Sequence, residues 1–164
     1  MKYLLDTNIV LIYLRDQSTK NLIDDEFAPF DVANIPIVSV VSLGEIESIA
    51  LRNNWGQKRF AAVERFFEKC LVTDINSQDV IRRYGEIDAY SQGKLRGNPL
   101  NDSSRNMGKN DLWIAATASV VNAKLLTTDK DFAHLDSSYL DLDLITLIKS
   151  VSYTHLTLPT TPYV

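Results

Sequence analysis

The chain of 164 residues holds one cysteine, Cys70, and two histidines. A lone thiol excludes an internal disulfide and fits a reducing compartment. Its setting, F-F-E-K-C-L, reads as that of a small buried apolar residue. No run of about 18 apolar residues occurs, so there is no candidate for a membrane-spanning helix. The amino terminus has no secretory layout either, because Asp6 breaks its apolar stretch. Cytoplasmic residence is the expectation. Positive charge is not in excess: 17 Lys and Arg stand against 21 Asp and Glu, a formal net charge of -4. That excludes a broad basic surface for non-specific nucleic-acid binding. It leaves a nucleic-acid substrate open, since carboxylates that hold metal ions make the net charge misleading. Internal repeats and an interdomain linker are also missing, and one domain with an ordinary core is expected.

What is present starts at once. Tyr3-Leu4-Leu5 is a short apolar run suited to a buried strand, and Ile9 to Leu14 is apolar again. Between them Asp6-Thr7-Asn8 reads as a strand-to-helix switch, with Thr7 or Asn8 able to cap the helix. Asp6 therefore ends a strand, where open α/β sheets place their ligands; helix capping is its competing explanation. Ile35 to Val41 is a second buried strand, with Pro36 tolerated at its start. Ser42-Leu43-Gly44-Glu45 then opens a helix as a capping box, which gives Glu45 a structural role of its own. Gln57 to Lys69 is an amphipathic helix whose Phe60, Val63, Phe66 and Phe67 are core. Leu71 to Ile75 is a third strand, and Ser77 caps a helix to about Lys94, with Val80, Ile81, Tyr84 and Ile87 inward and Arg82 and Arg83 outward.

Arg96 to Asn110 is rich in Gly, Asn and Ser, and a long polar loop inside a small domain tends to be functional or mobile. Arg96, Arg105 and Lys109 make it the candidate phosphate-contacting, substrate-binding segment, with incidental surface charge as the alternative. Asn110-Asp111 opens a helix rich in alanine, where the dipole favours an acid in the first turn. Lys124 to Thr128 is a strand running into Asp129-Lys130-Asp131, and Leu142 to Ile148 is a last strand. The final stretch, Val151 to Val164, carries no Asp, Glu, Lys or Arg and no periodicity. It resembles a translated sequencing adapter and is expected to be a non-native read-through tail, with a natural disordered tail as the alternative, leaving 1–148 as the domain.

Strands alternate with helices, so the expected fold is a three-layer α/β/α sandwich around a mainly parallel sheet of four to five strands. Parallel strands end on one edge, which allows Asp6, Glu45, Asp111 and Asp129 to converge. Four carboxylates within a few ångströms do not all stay ionised without a cation. Oxygen ligands with no His or Cys nearby point to Mg²⁺ or Mn²⁺. The blocks K-Y-L-L-D-T-N, S-L-G-E, N-D-L-W-I-A-A and T-T-D-K-D-F, in this order, resemble the PIN-domain ribonucleases, most closely the VapC-like toxins of bacterial toxin–antitoxin pairs. That resemblance implies a metal-dependent endoribonuclease that blocks translation, with Asp6, Glu45, Asp111 and Asp129 as catalytic metal ligands. It implies Thr7, Asn8 and Thr127 as groups that orient those carboxylates, and Asp131 as a candidate fifth acid. It further implies an RNA substrate, a homodimer and a small antitoxin wrapped over the active-site groove.

Neither His134 nor His155 is well placed for proton transfer, which favours a metal-activated water over a histidine-based ribonuclease. Three rival readings fit the residues less well. A phosphotransferase of the haloacid-dehalogenase type needs a second acid two residues after the first, and position 8 is Asn. A Mg²⁺-dependent phospho-accepting signalling module would carry its acceptor after the third strand, where Asp74 is a poor version of it. A PIN-like fold kept only for binding has no reason to retain four acids.

Overall fold

The computed structural model describes residues 1–147. The tail from Val151 lies outside the described residues, as does Ile148; the last expected strand, Leu142 to Ile148, ends at Leu144, and residues 145–147 are not strand. Strands β1 (Lys2–Leu5), β2 (Ile35–Ser39), β3 (Leu71–Thr73), β4 (Lys124–Thr127) and β5 (Asp141–Leu144) form one sheet in the order β3-β2-β1-β4-β5. Every neighbouring pair is parallel. The helices are α1 (Thr7–Arg15), α2 (Gln17–Glu26), α3 (Val40–Arg52), α4 (Gln57–Glu68), α5 (Gln78–Ser91) and α6 (Lys109–Val121), with a 3-10 turn over Lys130–Leu135.

Strand alternation divides the core in two. Leu4, Ile37 and Leu125 face the layer built from α5, α6 and the 3-10 turn. Tyr3, Leu5, Val38 and Leu126 face the layer that holds α1 to α4. Because both faces are covered, the central strands β1, β2 and β4 carry apolar runs, whereas edge strand β5 alternates as Asp-Leu-Asp-Leu. Burial of each such aliphatic side chain stabilises by roughly 1.5–3 kcal/mol. From β1 the chain winds outward through β2 to β3, then returns to the other side of β1 for β4 and β5. The winding therefore reverses between β1 and β4, and a crevice opens at the carboxyl ends of those two strands.

Several local expectations are corrected. β2 stops at Ser39 instead of Val41, because the Ser39 hydroxyl accepts the Val41 amide at 3.1 Å and starts α3 two residues early. Ser42 is then inside the helix and fully buried, so the Ser42–Glu45 capping box does not form. The cap of α1 is Asp6 itself, which accepts the Thr7 amide at 2.8 Å. α5 ends at Ser91 rather than near Lys94. Ile81 is 44% exposed, while Arg83 turns inward to the Ser119 hydroxyl and lies over the Tyr139 ring.

Candidate active site

Asp6 follows β1 directly and is 4% exposed. Its two oxygens are taken: Oδ1 accepts the Thr7 amide at 2.8 Å and Oδ2 accepts the Thr127 hydroxyl at 2.6 Å. Thr127 is the last residue of β4, and its oxygen also accepts the Asp129 amide at 3.0 Å. One buried hydroxyl thus ties the acids after β1 and β4 together across the crevice. Asp129 in turn caps the 3-10 turn by accepting the Asp131 amide at 2.8 Å.

Thr7 makes the equivalent link to α3. Its hydroxyl lies 2.6 Å from Glu45 Oε1 and 2.9 Å from Ser42 Oγ. With one proton to give, it donates to the carboxylate and accepts from Ser42. Ser42, whose place in the sequence suggests a helix cap, instead supports the Thr7 hydroxyl that bonds Glu45. Its signal was its place one turn before Glu45, on the same helix face. Asn8, by contrast, is exposed.

Asp111 sits in the first turn of α6. Oxygens of Asp111, Asp129 and Asp131 lie within 4.8 Å of one another. Asp6 and Glu45 stand outside that tightest group but act on it through their charge. Burial, followed by the charges of Asp6, Asp129, Glu45 and Asp131, pushes the Asp111 carboxyl up to about 7. Burial also pushes Asp6 up to about 6; the Thr127 and Thr7 hydrogen bonds oppose this, and the charges of Glu45 and Asp129 add to it. Among the described residues, no Lys or Arg forms an ion pair with any of the five acids. Asp74, the rival phospho-acceptor, is engaged by the Ile75 and Asn76 amides and is not among the charges acting on Asp6 or Asp111.

A group of carboxylates this close, without a side-chain cation, fits a hard divalent ion, which would supply the missing positive charge. The basic residues of the long loop are less concerted. Arg96 and Lys109 are exposed, whereas Arg105 pairs with Asp102 at 2.7 Å and its amide donates to Ser91 O. His134 is also used structurally: its Nε2 lies 2.7 Å from Ser91 Oγ and its ring stacks on Tyr90.

The PIN domain family matches residues 3–137. The chain is 30% identical over 138 residues to Ribonuclease VapC1 of Haemophilus influenzae (strain R2866), covering 82% of this chain and 92% of that one. In three dimensions it is similar to VapBC-1 from nontypeable Haemophilus influenzae, with a TM-score of 0.65 and 27% identity over 88% of this chain and 98% of that one. It also shares its fold with VapBC2 from Rickettsia felis, solved bound to a promoter DNA fragment, at a TM-score of 0.70 and 23% identity, with the same coverage of 88% and 98%.

Proposed function

This chain belongs to the PIN-domain family, and from that premise we propose that it is a metal-dependent endoribonuclease, the toxin of a VapBC-type toxin–antitoxin pair that stops translation by cutting RNA. One observation carries the chemistry: oxygens of Asp111, Asp129 and Asp131 lie within 4.8 Å of one another at the sheet's switch point, the charges of Asp6 and Glu45 bear on them, and among the described residues no Lys or Arg forms an ion pair with any of the five acids.

Asp6, Glu45, Asp111 and Asp129 would hold Mg²⁺ or Mn²⁺, with Asp131 completing the set. A divalent ion there supplies Lewis acidity, which lowers the pKa of an attacking water and offsets charge on the phosphate. The protein's own groups do the positioning. Thr127 holds Asp6 and the Asp129 backbone in one frame, while Thr7 and Ser42 aim Glu45. Thr127 and Thr7 each fix a carboxylate oxygen without adding charge before any ligand arrives, and Ser42 holds the Thr7 hydroxyl. Arg96 and Lys109 are the candidate phosphate contacts on the substrate side, and Arg105, held by Asp102, orders the loop between them.

Two partners follow from the same reading: a small antitoxin, as in the VapBC complexes, and a second copy of this chain. Exposed Leu71 and Val72 on edge strand β3 and exposed Ile81 on α5 offer apolar surface of the kind self-association covers. Residence in the cytoplasm accords with the free thiol of Cys70. No helix among the described residues is long and apolar enough to cross a membrane.

The test is cleavage of total bacterial RNA by the purified chain, with 5′ ends mapped. Activity should need Mg²⁺ or Mn²⁺, vanish in EDTA, and fall at least 100-fold in Asp6→Asn. Undiminished cutting in EDTA by Asp111→Asn protein would sink the proposal. Light scattering of the same sample, alone and co-expressed with any small open reading frame found beside its gene, checks the dimer and the antitoxin.

A further inference from the structure

The oxygens of Asp111, Asp129 and Asp131 meet within 4.8 Å, yet these acids arrive on two separate segments, the first turn of α6 and the 3-10 turn after β4. Both segments are fastened at one buried hydroxyl. Ser91 is the last residue of α5 and is 0% exposed. Its Oγ lies 2.7 Å from His134 Nε2, three residues beyond Asp131, and 3.4 Å from Met107 Sδ, four residues before Asp111. Its carbonyl, which the end of α5 leaves without a helical partner, accepts the Arg105 amide at 2.8 Å.

The surroundings leave little play at either contact. Met107 is buried, and the His134 ring stacks on Tyr90, the neighbour of Ser91 in α5. Asp102 pairs with Arg105 at 2.7 Å, which stiffens the loop where it reaches Ser91. Helix formation gives no reason for a serine here, since alanine suits a helix better. A buried hydroxyl also costs stability unless its bonds are made. What this one contributes is therefore the pair of contacts it makes.

We propose that Ser91 is a positioning residue of the metal centre: by holding Met107 and His134 on one oxygen, it sets the gap between Asp111 and the turn that bears Asp129 and Asp131. It is not a ligand and acts only through those two segments. Thr127 fixes the acids after β1 and β4 relative to each other, and Ser91 does the same on the far side of the group. A gap held fixed selects among ions. Mg²⁺ demands a near-octahedral shell at about 2.0–2.1 Å, whereas Ca²⁺ accepts irregular shells at about 2.3–2.6 Å. Held by Ser91, the acids favour Mg²⁺; released from it, they favour Mg²⁺ less. This role rests on the metal-dependent reading above and adds what tunes the choice of ion at that same site.

The test measures ion affinity in the full chain without RNA. Mn²⁺ is followed by the paramagnetic resonance of the free ion, and Mg²⁺ and Ca²⁺ by their displacement of Mn²⁺. Ser91→Ala should weaken Mg²⁺ about tenfold, as loss of an outer supporting group does. Ca²⁺ should weaken by no more than about threefold, because its shell tolerates a looser gap. His134→Ala should shift the ratio of the two affinities in the same direction, and His134→Gln should recover part of it. Adding Ser91→Ala to His134→Ala should cost less than Ser91→Ala does alone, since the two act through one contact. Ser77→Ala, which removes the cap at the other end of α5, is the control. It should lower the melting temperature and leave the ratio unmoved. Equal weakening of both ions in Ser91→Ala, or none, overturns the proposal, and so does a like shift of the ratio in Ser77→Ala. If any of these comes while the wild type binds Mn²⁺ and Mg²⁺, the metal-dependent reading stands. If the wild type binds neither, both fall.

Discussion

Thr127 shows how much a single uncharged residue arranges. Its one proton goes to Asp6 and its oxygen takes the Asp129 amide, so a hydroxyl at the end of β4 sets the spacing between two strands' acids. The bond favours the ionised form of Asp6 and works against the burial that pushes this carboxyl to about 6. Thr127→Val keeps the volume and removes the bond. In metal-free protein the Asp6 titration, followed by ¹³C NMR, should move above 6, and Thr127→Ser should restore it. An unmoved titration would show that the bond does not hold this acid.

At the level of elements, the site depends on how helices begin and where turns are fastened. α3 starts at Val40, which places Ser42 and Glu45 on the face that meets Thr7 at the start of α1. The turn bearing Asp129 and Asp131 is fastened at its far end by His134, through the Ser91 hydroxyl and the Tyr90 ring. His134→Ala should therefore cost about 1–3 kcal/mol in urea denaturation, with His134→Gln recovering part of it. Burial, and after it the charge of Arg105, hold the His134 ring below its ordinary pKa. The fold thus prefers the neutral ring. That preference is fully present above about 6.5 and is lost as the pH falls through the lowered folded value.

For the whole molecule the two buried acids act in the opposite sense. Asp6 and Asp111 titrate near 6 and 7 in the fold, against 3.8 without it. The folded state therefore binds more protons than the unfolded one across that interval, and metal-free stability should fall as pH rises from about 4 to 7. The loss should be on the order of a few kcal/mol. Calorimetry in EDTA should show the melting temperature declining over that range. Mg²⁺ should reverse the decline, and Asp111→Asn should flatten it while abolishing RNA cleavage. A pH-independent melting temperature in EDTA would show that these carboxyls are not crowded. Residue order alone made much of this legible. Apolar strand runs alternating with amphipathic helices imply a parallel sheet, and Asp6 and Asp129 mark strand ends because Asp6 directly follows Tyr3-Leu4-Leu5 and Asp129 follows the strand run Leu125-Leu126-Thr127-Thr128. What it left open were the contacts made between segments. Ser42 looks like a cap when only its neighbours along the chain are counted, and becomes a support for Thr7 once α1 and α3 are side by side. Arg83 reads as an outward-facing cation until Ser119 of α6 packs against it, and Gly44 reads as a weak helix residue until the open space beside it is visible. Periodicity is a property of backbone geometry and survives in one dimension. The partner of a hydroxyl, a charge or a void lies across space, and only packing the layers together fixes it.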